Sequence, residues 1–289
     1  MNRSIARQAI LIAFLGVLII VLVSQFYSIH GIDKVILIGK KRKLILGSID
    51  AVRIVVLIDN YPLEGSNLIS TWGLSIYIEL ENTSILFDTG PSPHILEHNM
   101  RVLGIDPTRI SYVVLSHEHG DHVGGLKYIC ECNRNAKVIV PMHISQSIKN
   151  LVKEHGLDLI EVSKPMKITR GIGVTGELYG PPHEISLLIN VTGKGLILVV
   201  GCSHPGIEHI TEYVHNLTGE HIFMIIGGFH LTGASIDRLS RIVRVMCDYN
   251  IERVYPIHCT GDFARNFFAR ELGLRYCDGH VGLEVVIRG

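Results

Sequence analysis

The sequence predicts an α/β fold, a four-layer helix/sheet/sheet/helix sandwich, and three observations carry that expectation. From residue 52 onward, short Val/Ile-rich runs alternate with helix-like segments, and no polar linker divides the region. The strand runs come first as hairpin-like pairs and then flanked by helices, and this order occurs twice. Several runs are apolar throughout, as in sheets covered on both faces. Composition by itself would equally allow one doubly wound sheet.

Taken along the chain, strands are expected at 53–58, 74–80 and 84–87. Ser92-Pro93 then opens a helix that Gly104 closes, because Ser can cap free N–H groups and Pro presets the first-turn dihedral. Strands at 112–115 and 137–140 follow, with a helix from Ser145 to near Gly156. Strands at 186–190, 196–200, 222–226, 254–257 and 283–287 complete the set, with helices over 203–219 and 262–273.

The 289 residues are 47% hydrophobic and 19% charged with no net charge, enough to bury a large core. Zero net charge argues against a nucleic-acid partner held by bulk electrostatics. A mean hydropathy of +0.32 is raised partly by one segment, since residues 8–32 carry no charged side chain and 9–23 are apolar. Extended to Tyr27, that helix would measure about 28 Å, enough to cross a hydrocarbon core. A membrane anchor over 1–30 is therefore expected, against a cleaved signal peptide or a buried helix. Cleavage is disfavoured by the Val-Ser-Gln-Phe-Tyr that ends the run. Arg3 and Arg7 precede the segment, while Lys34, Lys40, Lys41, Arg42 and Lys43 follow it, which puts the catalytic part on the cytoplasmic side of the membrane. The N-terminal Arg pair leaves the opposite orientation open. Residues 31–50 read as a basic hairpin and linker that either touches anionic lipid or is simply solvated. Residues 51–289 form the catalytic domain. Six cysteines are not spaced as a disulfide framework, and Cys130 with Cys132 is not a zinc knuckle.

Chemistry concentrates at 116–125, Ser-His-Glu-His-Gly-Asp-His-Val-Gly-Gly, directly after the apolar run 110–115. His117 and His119 can share one cation, while Asp121 and His122, a turn further on, can reach a second. Chance clustering or helix capping explains such a run poorly, because a core would place aliphatics between a buried strand and two glycines. Neutral imidazole with carboxylate suits one or two divalent ions, Zn²⁺ first, with Mn²⁺ or Fe²⁺ also accommodated.

Other candidates sit where a strand ends and a loop begins. Asp88 in Phe-Asp-Thr-Gly would orient a ligand through hydrogen bonds rather than bind metal, or else form a plain Asx turn. In Gly-Cys-Ser-His-Pro-Gly at 201–206, His204 is a ligand at a helix start; Cys202 is a metal or bridging thiolate, or only a small buried side chain. His258 repeats this arrangement at a strand end. Thr260 and Gly261 beside the next helix start would contact a phosphorylated substrate, although Thr260 could merely cap that helix. His230, after two glycines, would bind substrate or shuttle protons. His183 and His280 are weaker candidates.

Residues 116–122 resemble the H-x-H-x-D-H motif of metallo-β-lactamase-fold hydrolases, with Asp88-Thr89-Gly90 similar to the preceding D-T-G element. Gly73 to Ser75, F-D-T-G, G-C-S-H-P-G at 201–206, G-G-F-H-L at 227–231 and H-C-T-G at 258–261 together look like one subgroup. That subgroup comprises the 7,8-dihydropterin-6-methyl-4-(β-D-ribofuranosyl)aminobenzene-5′-phosphate synthases of methanopterin-type cofactor synthesis. The resemblance covers most of 52–289 and implies the αββα sandwich.

It implies that His117, His119 and His204 form one metal site and Asp121, His122 and His258 the other. Where the wider superfamily often carries a bridging aspartate in a G-D turn, this chain has Gly201-Cys202, which leaves metal number open. The implied activity is condensation of a dihydropterin bearing an activated methylene with a ribosylaminobenzene phosphate, releasing pyrophosphate. The alternatives are metal-dependent hydrolysis of a phosphodiester, lactone or thioester, with Asp121 also accepting a proton, and a non-catalytic, membrane-tethered metal or pterin binder.

Overall fold

The computed structural model describes residues 43–289, and Leu44–Gly289 forms one compact unit. The chain begins its first sheet with β1 (Ala51–Ile58), β2 (Ser75–Glu79), β3 (Ser84–Phe87), β4 (Tyr112–Val114), β5 (Lys137–Pro141) and β6 (Asp158–Val162). Its second contains β7 (Met166–Thr169), β8 (Ile172–Val174), β11 (Leu187–Val191), β12 (Gly195–Val200), β13 (Ile222–Gly228) and β14 (Arg253–Ile257). A small hairpin of β9 (Leu178–Tyr179) and β10 (His183–Glu184) stands apart, and β15 (Glu284–Arg288) returns to the first sheet. The spatial orders are β15-β1-β2-β3-β4-β5-β6 and β14-β13-β12-β11-β8-β7.

The alternation of side chains along each strand explains the four layers. In β1, Val52, Ile54 and Val56 point into the space between the sheets, where they meet Ile172, Leu187, Ile189, Ile197, Val199 and Ile226 of the second sheet in one core. Val55 and Leu57 point the other way, onto the first helical layer. Because both faces are covered, these strands read as continuous apolar runs. The first helical layer is α1 (Pro93–Val102), α2 (Gly120–Val123), α3 (Leu126–Cys132) and α4 (Gln146–Glu154). The second is α5 (Ile207–Thr218), α6 (Ile236–Asp248) and α7 (Asp262–Leu272), resting on β12–β14 through Ile210, Val214, Leu239, Ile242 and Phe268. Two stacked sheets exclude the doubly wound alternative.

Two expectations are corrected. No helix among the described residues is long and apolar enough to cross a membrane. The longest of them, α6, has 13 residues and is amphipathic, with Leu239, Ile242 and Met246 buried and Arg241 and Arg244 exposed. Among the described residues the fold is the sandwich, and the membrane-anchored, cytoplasm-facing placement has no support in it. The expected anchor at 1–30 and residues 31–42 of the basic hairpin lie outside the described residues. From Leu44 the chain already lies against the domain: Leu46 is buried, and Ile49 bridges to Val191. The second correction concerns the helix expected from 203, which starts at Ile207. Ser203 and Gly206 take φ of 58° and 96°, so 203–206 is a turn and His204 sits on it rather than in the first helical turn.

β3 to β6 run parallel, as do β12 to β14, with helices as crossovers. Their carboxyl ends deliver Asp88, His117, Cys202, His230 and His258 into connecting loops, the usual place for a ligand in such sheets.

Candidate metal centre

Six side chains converge at that edge in two trios, His117–His119–His204 and Asp121–His122–His258, each with its ligand atoms within 4.8 Å of one another. His117 Nε2 lies 3.2 Å from His119 Nδ1, and His122 Nε2 lies 3.2 Å from His258 Nε2. Asp121 Oδ2 is 3.3 Å from His258 Nε2 and 3.8 Å from His122 Nε2. Two donors sharing a tetrahedral ion at about 2.1 Å stand about 3.4 Å apart, so both spacings suit a shared cation.

The far sides of three of the five rings, His117, His122 and His258, are already engaged, and those partners assign the tautomers. Asp88 is the hub: Oδ1 accepts the Ser116 N–H at 2.7 Å, and Oδ2 accepts the Ser116 hydroxyl and His122 Nδ1–H, each at 2.7 Å. Because Ser116 Oγ gives its proton to Asp88, it accepts from His117 Nδ1 at 2.8 Å. His258 Nδ1 faces Asn60 Oδ1 at 3.3 Å. In each case Nδ1 carries the proton, and Nε2 keeps its lone pair for the trio.

Electrostatics agree with a donor set. Burial, with His122 and His204 alongside, holds His117 well below the ordinary imidazole range. Burial, with His230 and His119 nearby, brings His204 down to about 4. Burial pushes Asp121 up, but the adjacent imidazoles of His258 and His122 outweigh it and keep the carboxyl well below its usual range. His204 Nε2 is buried with no hydrogen-bond partner among the described residues. A buried, neutral nitrogen without a partner is what a cation would satisfy, so these residues fit a divalent ion.

Cys202 Sγ sits 3.2 Å from His122 Nε2, and a group of His117, His122 and Cys202 places it beside both trios. Cys259, the second residue of the H-C-T-G run, lies with its Sγ 3.3 Å from that of Cys202. His230 is exposed and reaches the rim, its ring 4.6 Å from that of His204. Thr260 is fully buried, and its hydroxyl donates to Ile257 O at 2.7 Å and accepts the Phe229 N–H at 3.2 Å. It therefore ties β14 to β13 instead of facing a substrate. Gly261, with φ of 79°, lies against Thr232, where a Cβ would come within 2.9 Å of Oγ1. His280 bonds its own neighbour's carbonyl, Val281 O, and His183 lies in the separate β9–β10 hairpin.

Three residues escaped the sequence reading. Asp59 Oδ1 accepts the His258 N–H at 2.8 Å, and its strand-end Leu-Ile-Asp-Asn setting resembles that of Asp88 closely enough to have been noticed. Glu184 is fully buried, and its carboxylate accepts the N–H groups of Gly201, Cys202, Ser203 and His204 at 2.8–3.2 Å. Those N–H groups are therefore committed to Glu184 and not free to hold a phosphate. Trp72 is 54% exposed with its ring 4.9 Å from that of His258, and only its singularity in the composition could have drawn attention to it.

Known proteins resemble this chain in sequence and fold. The model of the metallo-beta-lactamase superfamily matches residues 73–233. The 7,8-dihydropterin-6-methyl-4-(beta-D-ribofuranosyl)-aminobenzene-5′-phosphate synthase of Methanocaldococcus jannaschii is 29% identical over 275 residues, covering 78% of this chain and 93% of its own. An uncharacterized protein of the same organism is 33% identical over 263 residues, covering 79% and 98%. A solved metal-dependent hydrolase of the β-lactamase superfamily superposes with a TM-score of 0.68 at 27% identity, over 82% of this chain and 100% of its own. These likenesses bear out the resemblance to the synthase subgroup, and a family model matching over half its length shows that the chain belongs to the metallo-beta-lactamase superfamily.

Proposed function

We propose that the domain is a metal-dependent transferase joining a dihydropterin with an activated methylene to a ribofuranosylaminobenzene phosphate. The aryl amine nitrogen attacks the methylene carbon, the carbon–oxygen bond to pyrophosphate breaks, and the nitrogen loses a proton. The single observation that carries this reading is a six-donor site in a chain similar to a named synthase along 93% of that protein's length. One or two divalent ions, with zinc preferred over manganese or iron for an imidazole-rich set, would supply positive charge to the departing oxygens.

The chain's own residues do the rest. His117, His119 and His204 hold one ion and Asp121, His122 and His258 the other, while Cys202 stands where it can touch either. Asp88 fixes two of the rings. His230, exposed at the rim, is placed to take the proton from the amine. Trp72 offers a flat apolar face beside His258 for a planar ring.

Hydrolysis is the second reading, favoured by the likeness to a metal-dependent hydrolase at 27% identity. In it Asp121 accepts the proton of the attacking water. Full-length protein loaded with zinc or manganese, given both pterin and ribosyl substrates and separately a generic phosphodiester, distinguishes the two. Condensation with stoichiometric pyrophosphate supports the first reading; rapid ester cleavage without condensation overturns it.

A further inference from the structure

Away from the centre just described, His143, Glu177 and His183 bring three donor atoms within 4.8 Å of one another. They come from three separate places in the chain. His143 lies in the closed turn after β5, where Ile144 N–H bonds Pro141 O at 3.1 Å. Glu177 precedes β9 and His183 opens β10. His143 Nδ1 lies 2.8 Å from Glu177 Oε2, and its backbone N–H reaches Oε1 at 2.6 Å. The imidazoles of His143 and His183 stack at 4.5 Å with a 23° interplanar angle, and the Tyr179 ring meets that of His183 at 5.1 Å and 62°.

Two features set this cluster apart from an ordinary surface ion pair. The Glu177 side chain is only 6% exposed, yet among the described residues its one charged partner is an imidazole, with no Lys or Arg nitrogen within 4 Å. A carboxylate so withdrawn from water requires a strong positive partner. His183, in turn, packs against the rings of His143 and Tyr179, but its ring nitrogens make no hydrogen bond to any described residue. Aligned, unengaged imidazole nitrogen beside a desolvated carboxylate is a two-His, one-carboxylate donor set with open positions.

We propose that His143, Glu177 and His183 form an auxiliary site for a divalent transition-metal ion such as zinc, distinct from the ions of the central site. The ion replaces the proton between His143 Nδ1 and Glu177 Oε2, and His183, whose nitrogen is already within 4.8 Å, tilts out of the stack to bring in the third donor. Its consequence is mechanical. The site clamps the β9–β10 hairpin to the turn after β5, and the residue after His183 is Glu184, whose carboxylate holds the four N–H groups of the turn bearing Cys202 and His204. Gly180 of the same hairpin lies so close that a Cβ would come within 2.4 Å of the His204 carbonyl carbon. A metal at the rim thus steadies a ligand of the centre.

The test is zinc stoichiometry of the full-length chain after gel filtration, together with titration calorimetry, comparing wild type with His183→Ala. That variant leaves the His143–Glu177 pair intact. The expected result is loss of one zinc equivalent per chain, with the remaining zinc unchanged and one class of micromolar or tighter binding gone from the isotherm. Glu177→Gln, which preserves shape but removes the anionic donor, should weaken the same class at least tenfold, and it decides the matter if His183→Ala shows an unfolded circular-dichroism spectrum. Identical zinc content and isotherms in the folded variants overturn the proposal, as does auxiliary binding in wild type no tighter than millimolar.

Discussion

Replacing Asp88 with Asn tests whether the metal rings are held in their tautomers by this one carboxylate. The substitution is nearly isosteric, and Asn tolerates the left-handed φ of 56° that Asp88 adopts. The amide keeps one acceptor for the Ser116 N–H but presents an NH₂ group where Oδ2 now receives both the Ser116 hydroxyl and His122 Nδ1–H. Donor then faces donor. His122 can relieve the conflict only by moving its proton to Nε2, the atom 3.2 Å from His258 Nε2, and so loses its lone pair for the cation. Loss of such an orienting partner weakens metal binding ten- to a hundredfold, about 1.4–2.7 kcal/mol. In the metal-free protein each broken charge-assisted bond costs about 1.5–3 kcal/mol. Competition with a chromophoric chelator and urea unfolding of the metal-free form measure the two effects. Were Asp88 only an Asx turn, Asn would serve as well, and metal affinity within twofold of wild type would refute the relay.

Three further outcomes are expected. His204 protonates near 4 in the folded protein against 6.5 unfolded, because burial disfavours its charge. Between those values the unfolded state binds more protons, so stability of the chelator-treated protein rises with pH. Full burial would give about 3.4 kcal/mol, and solvent reaching the half-buried ring reduces this to about 1–2 kcal/mol; equal urea midpoints at pH 4.5 and 7 would contradict it. Gly201→Ala puts a Cβ 2.2 Å from Ser116 Oγ, inside the relay. It should destabilise the fold by about 1–3 kcal/mol and lower metal affinity, and a neutral result in both assays would show the turn to be slack. Trp72 is the chain's only tryptophan and touches His258, so a paramagnetic ion entering the centre should quench its emission. Trp72→Ala should raise KM for an aromatic substrate about five- to tenfold, equivalent to about 1–1.4 kcal/mol of stacking, and unchanged emission at full metal occupancy would place the ring elsewhere.

Much of the scaffold was legible because its strands are covered on both faces: runs such as 196–200 and 222–226 contain nothing but apolar residues, and burial on both sides leaves no other composition. What escaped was the polar periphery. Neither β6, with Asp158 and Glu161, nor β7, with Lys167, is fully buried, and at an edge the solvent-facing positions erase the apolar run. α6 was missed although Leu239, Ile242 and Met246 recur at helical spacing, because three arginines interrupt the hydrophobic reading. For the centre, the local H-x-H-x-D-H cluster and the strand-end histidines announced themselves. Glu184 did not, since a single acid in a Pro-Pro-His-Glu loop has no local signature; its partners lie 17 to 20 residues away.

Backbone conformation supplies what composition could not. Among the described residues five non-glycine residues take positive φ, and four of them, Asp88, Ser203, His230 and His258, lie within three residues of the ends of β3, β12, β13 and β14 around the centre. Each such conformation costs about 1–3 kcal/mol, and glycine would remove that cost. The substitution is barred by what the side chains do. Asp88 joins His122 to Ser116, Ser203 donates to Gly228 O at 2.7 Å, and His258 closes the second trio. His230 turns its ring to the cysteine pair: its nitrogen lies within 4.8 Å of the Cys202 and Cys259 sulfurs, and its backbone N–H reaches Cys259 Sγ at 3.3 Å. The same reasoning that makes Asp88 a hub makes His230 the residue that ties the Cys202–Cys259 pair to the rim of the centre, where its ring also meets that of His204.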